Sequence, residues 1–242
     1  APALGAFAGA SLPFHGSASS PTSMAREVAQ EALAGETAFL DALTLDQIDH
    51  IEVLRGPASS LYGANAVGGV IQIFTRRGDG PARPTAHLAA GSYRSYLGNA
   101  GISGSQGGFD YAAMIGREAS EGVSAIRPND RFGNFTPDDD GYGRNFGNLK
   151  LGYSPAAGHR IGVNVVASEL DAKYDGAEFA PPNYLPDPSP DFRNHLRSTL
   201  VAIDYSGVLS PAWTMNVQGS RNIDDAESGG TSISEFKTER DQ

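Results

Sequence analysis

The stretch DQIDHIEVLRGP at residues 46–57, followed by LYGANAVGGVI at residues 61–71, carries the strongest structural signal in this chain. The first part predicts a short helical turn that runs into an apolar strand. Pro57 ends that strand, because proline has no N–H to donate to a ladder. A small helix or turn is expected around residues 59–62. Paired glycines then lead into a second strand over residues 70–75.

Beyond these two strands the chain is dominated by alternating apolar and polar side chains, which is typical of half-buried strands. Gly and Pro number 30 and 15 among the 242 residues, which favours many short connections over a helical bundle. The predicted strands cover about 83–92, 94–103 and 108–118, and the clearest alternation lies at 149–153, 161–167, 199–205 and 213–217.

The connections between these strands differ in length. Residues 105–107 and 154–158 are short, whereas 119–141 and 170–193 are long and polar. Short turns on one side and long loops on the other are typical of an outer-membrane β-barrel. A soluble sandwich also alternates, but a polar face with side chains such as Lys150 favours a wet lumen over a dry core.

Composition excludes several classes of function. The net charge of -10 and the pI near 4.9 disfavour nucleic acid, whose phosphates an acidic surface repels. There is no cysteine, which excludes disulfides and thiolate chemistry. No apolar run approaches the ~18 residues of a membrane helix. A basic leader is also not expected, since the first arginine is Arg26.

Enzymatic motifs are not found either. The five histidines are scattered without the spacing of metal ligands. The sequence has neither a Gly-x-Ser-x-Gly elbow nor a phosphate-binding loop. We therefore predict that the chain is not an enzyme.

The run from residue 46 to residue 71 closely resembles the last part of the plug of TonB-dependent outer-membrane receptors. Within that family, residues 138–142, 173–175 and 220–242 are most similar to the cobalamin (vitamin B12) receptor subgroup. The resemblance implies a barrel of about 22 antiparallel strands filled by an α/β plug. We therefore expect a mainly β fold, made of the C-terminal part of the plug and the first strands of a partial transmembrane barrel.

The resemblance also divides the chain. Residues 1–36 form an unassigned N-terminal tail, residues 37–80 the C-terminal part of the plug, and residues 81–242 the first barrel strands. Most of the plug and the segment that engages TonB are expected to be missing. An open sheet of this size leaves unpaired edges, so we do not expect this chain alone to transport.

The function implied by the resemblance is TonB-dependent import of cobalamin or a related corrinoid across the bacterial outer membrane. The implied partners are the TonB complex, the ligand and outer-membrane lipid. Import of an iron-siderophore or haem is the alternative within the same class. A different class is a surface barrel that serves as a phage or colicin receptor or an adhesin, without transport.

Acidic side chains in the two long loops form the main candidate site. Carboxylate oxygens at this density suit calcium, although Gly147 stands where an EF-hand closes with Glu. A further acidic position expected from the resemblance is occupied by Ser124, which weakens the site, and solvated acidic loops are the alternative. By resemblance the calcium ligands are Asp138, Asp140, Tyr174, Asp175 and Asp191.

The plug segment supplies the remaining candidates. The resemblance implies that Leu40, Asp41 and Ala42 face the substrate, although a plain loop is the alternative. Arg55 is considered together with Glu52. Because Arg55 stands beside Gly56 and Pro57 in the plug, it is expected to pair with carboxylates of the barrel wall and to have a structural role. The full set of predicted structural residues of the plug is Glu52, Arg55, Gly56, Pro57, Tyr62, Gly63, Gly68 and Gly69, whose glycines serve turns and close backbone approaches.

Overall fold

The computed structural model describes residues 48–56, 69–124, 126–179 and 182–241. The chain divides into two compact units, Ala1–Arg76 and Arg77–Gln242. Throughout the described ranges the regular elements are β-strands. The tail, the turn expected at residues 59–62 and the substrate-facing plug loop lie outside these ranges. The division into tail, plug segment and barrel segment stays a prediction.

The described part of the first unit is one antiparallel pair of strands. Strand β1 (Ile48–Arg55) pairs with β2 (Gly69–Thr75), and Val53 lies opposite Ile71. The rings of His50 and Phe74 stack with their centroids 4.2 Å apart. Both strands were expected, but β1 begins at Ile48, so the helical turn predicted before the first strand is wrong over residues 48–50, which belong to the strand.

The second unit is an eight-stranded antiparallel sheet with the order β12-β11-β10-β7-β6-β5-β4-β3. Chain neighbours are sheet neighbours, except that a small hairpin, β8 (Glu178–Phe179) with β9 (Pro186–Asp187), is inserted between β7 and β10. The sheet is open, with β3 and β12 at its two ends. Its strands are β3 Arg83–Ala90, β4 Tyr96–Gln106, β5 Phe109–Ser120, β6 Tyr142–Ala156, β7 His159–Lys173, β10 Arg193–Ser210, β11 Trp213–Gly229 and β12 Ile233–Asp241.

Polar side chains are buried on one face of this sheet and apolar side chains are exposed on the other, which is the reverse of a sheet in a soluble protein. On β7, Arg160 and Asn164 are buried, with 7% and 3% of their surface exposed, whereas Ile161 on the other face is 46% exposed. On β10, Ser198 is buried and Ile203 is 56% exposed. The inner face is mixed, because Val166 and Leu200 are buried among these polar side chains. An apolar outer face, with charged and polar side chains inside, is what a lipid-embedded barrel wall requires. The prediction of a mainly β, antiparallel barrel wall is confirmed.

The outer face changes character toward one end of the sheet. A row of polar side chains runs directly from strand to strand there: Arg117, Asn145, Glu169, Arg197, Asp225 and Lys237. The Arg197 guanidinium donates to Glu169 at 2.7 Å. This polar row begins where the apolar side chains such as Val165 and Val201 stop, so it marks one limit of the apolar band.

No helix in the described ranges is long and apolar enough to cross a membrane.

Candidate ligand-binding site

The long connections lie together at one end of the sheet. Turns at residues 107–108, 157–158 and 211–212 close the opposite end. The long-loop end carries residues 121–141 and 174–192, together with the shorter turns at 91–95 and 230–232. In a barrel wall of this kind the long loops face the outside of the cell. This end of the sheet is therefore the candidate binding end.

Asp175 joins the two long loops. Its Oδ2 accepts a hydrogen bond from the backbone N–H of Ile126 at 3.0 Å and lies 3.0 Å from the Ser124 hydroxyl. Its Oδ1 accepts from the backbone N–H of Thr136 at 2.9 Å. The Thr136 hydroxyl in turn donates to the carbonyl oxygen of Pro188 at 3.1 Å. Loop 121–141 is thus held at two separated points by loop 174–192.

Lys173 stands at the root of both loops. Its backbone N–H donates to the carbonyl oxygen of Gly141 at 2.9 Å. Its ammonium lies 3.4 Å from Asp138 Oδ2 and 3.7 Å from Asp191 Oδ1. The Arg193 guanidinium, 2.6 Å from Asp191, holds the pKa of that carboxyl below its ordinary value, and Lys173 acts in the same direction. A side-chain cation therefore lies between two of the predicted calcium ligands.

The turn at residues 230–232 is tied to the same loop by Glu178. Its Oε1 accepts from the backbone N–H groups of Thr231 at 2.6 Å and Ser232 at 3.0 Å. A Cβ at Gly230 would lie 2.7 Å from the Pro190 side chain and 3.0 Å from that of Phe192, so only glycine fits this contact. Three connections are therefore in direct contact.

The predicted calcium ligands do not assemble into one cage. Asp138 and Asp191 meet on Lys173, Asp175 accepts from loop 121–141, and the Tyr174 hydroxyl lies 3.1 Å from that of Ser228. Asp140 lies in the same loop, and its carbonyl packs closely against Gly122. Among the described residues no group of three or more His, Asp or Glu side chains is placed to hold a metal ion. Calcium binding stays a prediction.

Large apolar side chains are exposed on the same loops. Phe132, Phe179, Tyr184 and Leu185 expose 74%, 56%, 63% and 68% of their surface. They surround a close contact in which Gly133 packs against Pro186, the residue paired with Phe179 in the small hairpin. Exposed apolar side chains that cluster in this way are typical of a binding surface.

The inner wall carries an ion-pair cluster at the short-turn end. Arg160 on β7 donates to Asp110 on β5 at 2.8 and 3.1 Å and to Asp204 on β10 at 3.1 Å. Its guanidinium lies across Gly152 and Gly162, where a Cβ would come within 2.2 and 2.7 Å of it. The two glycines therefore provide the space in which one arginine spans four strands.

A groove of about 780 Å³ lies near the long-loop end, lined by strands β10, β11 and β12. Most of its charged side chains belong to the outer face, and several are paired with each other. His195 Nδ1 lies 2.7 Å from Asp171, and Arg193 lies 2.6 Å from Asp191. Because it lies on the outer face, this groove is separate from the lumen.

The structure describes only some of the predicted plug residues. Glu52 lies on β1, with Oε1 3.7 Å from His50 Nε2. Arg55 ends β1 opposite Gly69, and Gly56 has a φ of 102°, which favours glycine. The others lie outside the described residues and stay predictions: Leu40, Asp41, Ala42, Pro57, Tyr62, Gly63 and Gly68.

Sequence reasoning missed three residues that organise this region: Arg160, Lys173 and Glu178. Arg160 was assigned to a polar face, but its partner Asp110 is 50 residues away in the chain. Glu178 and its partner Thr231 are separated by 53 residues. Only the register of the strands brings such residues together, and no local pattern encodes it.

Comparison with known proteins gives one family match. Residues 18–70 match the TonB-dependent Receptor Plug Domain. The vitamin B12 transporter BtuB of Photobacterium profundum is 26% identical over 208 residues, which are 84% of this chain and 32% of that protein. An iron-regulated outer membrane virulence protein of Vibrio cholerae is 61% identical over 33 residues, which are 14% of this chain and 5% of that protein.

Solved structures share the fold. The ferric yersiniabactin uptake receptor FyuA from Yersinia pestis has a TM-score of 0.66 at 22% identity, covering 82% of this chain and 32% of that one. The siderophore receptor PiuA from Acinetobacter baumannii has a TM-score of 0.59 at 14% identity, covering 76% and 27%. The chain thus spans about a third of the length of the transporter and receptors that it matches along most of its own length. BtuB is a transporter, and FyuA and PiuA are receptors.

Proposed function

We propose that the protein imports cobalamin or a related corrinoid. The premise is that this chain carries plug and barrel strands of a TonB-dependent receptor of the bacterial outer membrane. The observation that carries the proposal is the joining of the long loops into one surface at the outer end of a barrel wall. Such a surface captures a large ligand before it enters the lumen. Energy for import comes from the TonB complex.

Two observations favour a corrinoid. A relative that aligns along most of this chain is a vitamin B12 transporter. The long loops are also acidic: residues 121–141 contain five acidic and two basic side chains, and residues 174–192 contain four acidic side chains and no basic one. Ferric siderophores are commonly anionic and prefer basic loops.

Uptake of an iron-siderophore is the second candidate. The solved structures with this fold include receptors for ferric siderophores. Arg127 and Arg131 are the two cations of loop 121–141, and Arg131 is adjacent to the exposed Phe132. An aromatic side chain beside a guanidinium suits an anionic aromatic chelate. A receptor without transport, used by phage or colicins, remains the candidate from another class.

The plug is assigned a supporting role. Arg55, with Glu52 on the same strand, has a structural role in the plug, and Leu40, Asp41 and Ala42 face the ligand. These are proposals from the resemblance and from the family match over residues 18–70. Replacing all three of these residues, 40–42, in the receptor produced from its complete gene should weaken ligand binding.

The test is binding and uptake by the receptor produced from its complete gene, in cells with and without TonB. Radiolabelled cyanocobalamin should bind in both strains and accumulate only in the strain with TonB. Uptake that is unchanged without TonB would contradict the proposal. Binding of a ferric siderophore in place of cyanocobalamin would support the second candidate, and binding without uptake in either strain would support the non-transporting receptor.

The exposed apolar side chains of the long loops allow a more specific test by mutation. Replacing both Phe132 and Tyr184 with alanine should weaken ligand binding about tenfold or more, since aromatic anchors dominate binding surfaces. Leu88→Ala is the matched control, because Leu88 is 85% exposed on the outer face of β3 and belongs to neither long loop. Equal binding by both variants would remove these aromatic residues from the site.

A further inference from the structure

The long loops are held together by a small number of carboxylates. We call the described residues of 121–141, 174–192 and 230–232 the loop collar. Within it, Asp175 binds the first loop and Glu178, three residues later, binds the last turn. Both side chains belong to the middle segment, so that segment holds its two neighbours at once.

Asp175 is well suited to accept these hydrogen bonds and poorly suited to bind a metal ion at the same time. A carboxylate has about four lone-pair positions, and three are directed at the Ser124 hydroxyl and the N–H groups of Ile126 and Thr136. Hydrogen bonds to an ionised acceptor are about twice as strong as those between neutral groups. The side chain is also partly buried, which reduces competition from water.

Ser124 contributes to this arrangement. It stands where the resemblance leads us to expect another acidic residue, and its hydroxyl lies 3.0 Å from Asp175 Oδ2. Two carboxylates at that distance repel each other and need a cation between them. The Ser124 hydroxyl is uncharged, and its single proton is donated either to Asp175 Oδ2 or to the carbonyl oxygen of Ile126, which also lies 3.0 Å away. The pair of Ser124 and Asp175 therefore needs no cation between its two side chains.

We propose that Asp175 is a positioning residue for ligand capture, which holds the loop collar as one body by accepting hydrogen bonds from loop 121–141 rather than by binding calcium. This inference rests on the proposed function for its ligand. Glu178 extends the same body to the turn at residues 230–232. The ligand then meets a surface whose loops are ordered before it binds, which lowers the entropic cost of binding.

The test compares hydrogen exchange in the receptor from the complete gene and in its Asp175→Asn variant. An asparagine turns an N–H₂ group toward one of the backbone donors, so amide exchange at Ile126 and Thr136 should become about tenfold faster. Asp187→Asn is the matched control, because Asp187 accepts only from Ser189 in its own loop. In Asp187→Asn, amide hydrogen exchange over residues 121–136 should stay at the wild-type rate. Unchanged exchange in Asp175→Asn would overturn the proposal.

Ser124→Ala supplies a second variant that keeps the carboxylate. It removes a hydroxyl whose single proton is shared between Asp175 Oδ2 and the Ile126 carbonyl oxygen, both 3.0 Å away, and it leaves the two backbone donors in place. Exchange should therefore rise less than in Asp175→Asn, by about threefold. The comparison is repeated with calcium and with chelator. The same increase in both conditions supports the hydrogen-bond role, whereas an effect of Asp175→Asn seen only with calcium makes Asp175 a metal ligand and overturns the proposal.

Ligand binding separates a positioning role from a merely structural one. Asp175→Asn should weaken cyanocobalamin binding about tenfold while the number of sites per receptor stays the same. Faster exchange with unchanged affinity would overturn the positioning role. If the wild type binds no cyanocobalamin, the proposed substrate fails, and the exchange comparison alone decides the proposal.

Discussion

Arg160 on β7 reaches across β6 to Asp110 on β5, with two hydrogen bonds of 2.8 and 3.1 Å. Both side chains are largely buried, and Arg77 lies 3.7 Å from the same carboxylate. On its other side the guanidinium reaches Asp204 on β10. Buried charges of this kind are stable only while they stay paired. The cluster therefore fixes the relative position of four strands at the short-turn end.

Replacing Gly152 with alanine tests that cluster. The new Cβ would lie 2.2 Å from both Arg160 Nη2 and Asp110 Oδ2, so the pair has to separate. We expect a loss of about 3–5 kcal/mol in the free energy of unfolding, measured by denaturant titration of the receptor in detergent. Gly147→Ala on the same strand is the control, because its nearest contact is 3.3 Å and it should cost less than ~1 kcal/mol. Equal losses of stability in Gly152→Ala and Gly147→Ala would show that separation of the Arg160–Asp110 pair is not the cause.

Adjacent residues on β11 test the assignment of the two faces. Val217 is 49% exposed on the apolar outer face, and Gln218 lies on the inner face. Val217→Lys should cost about 1–2 kcal/mol of stability in lipid, because it places a charge against acyl chains, and Val217 lies level with Tyr205 and Tyr153 rather than at the middle of the apolar band. Gln218→Lys should cost less than ~1 kcal/mol, since the lumen is wet. Folding titrations in lipid vesicles measure both, and the reverse order would invert the assignment of the faces.

The position of Lys173 gives a prediction about calcium. Its ammonium lies between Asp138 and Asp191, so Lys173→Met leaves two carboxylates without that cation. We expect calcium to raise the melting temperature of this variant by roughly 2–4 °C over the value in chelator. Lys237→Met on β12 is the control, because Lys237 pairs with Glu239. If calcium leaves the melting temperatures of the wild type and Lys173→Met alike unchanged, the predicted calcium site is wrong.

The Asp191 carboxyl gives a prediction for acidic conditions. Its pKa is lowered in the folded protein, chiefly by the hydrogen bond from Arg193. Such a group stabilises the fold above the unfolded pKa, and that contribution is lost as the pH falls through the folded pKa. Hydrogen exchange around residues 191–193, corrected for the intrinsic effect of pH, should be steady above about pH 5 and rise below about pH 4. In Asp191→Asn this acid-induced rise should be absent, and its persistence would assign it to another group.

Much of the fold followed from local sequence. The alternation of residues 161–167 predicted both the strand β7 and the polarity of its two faces, because side chains on a strand alternate between faces. The plug signature at residues 46–71 predicted the two strands β1 and β2, and the structure adds that they pair with each other. The family match over residues 18–70 supports the same assignment.

The contacts of the loops did not follow from local sequence. The triplet at residues 138–140 suggested a shared metal site, yet Asp138 contacts Lys173 and Asp175 contacts Ser124, 51 residues away. Which carboxylate meets which donor depends on how β6, β7 and β10 are paired. An acidic loop sequence indicates charge density but does not identify the partner that neutralises it.

The reach of Arg160 over its neighbouring strand limits how loops can be exchanged between receptors. A chimera that receives only the β6–β7 hairpin from another receptor acquires a foreign residue at position 160, while Asp110 and Asp204 remain from the host. The smallest transferable module therefore runs from β5 through β10, residues 109–210, and carries both long loops with it. Loop grafting in this receptor has to move the arginine and both of its carboxylates together.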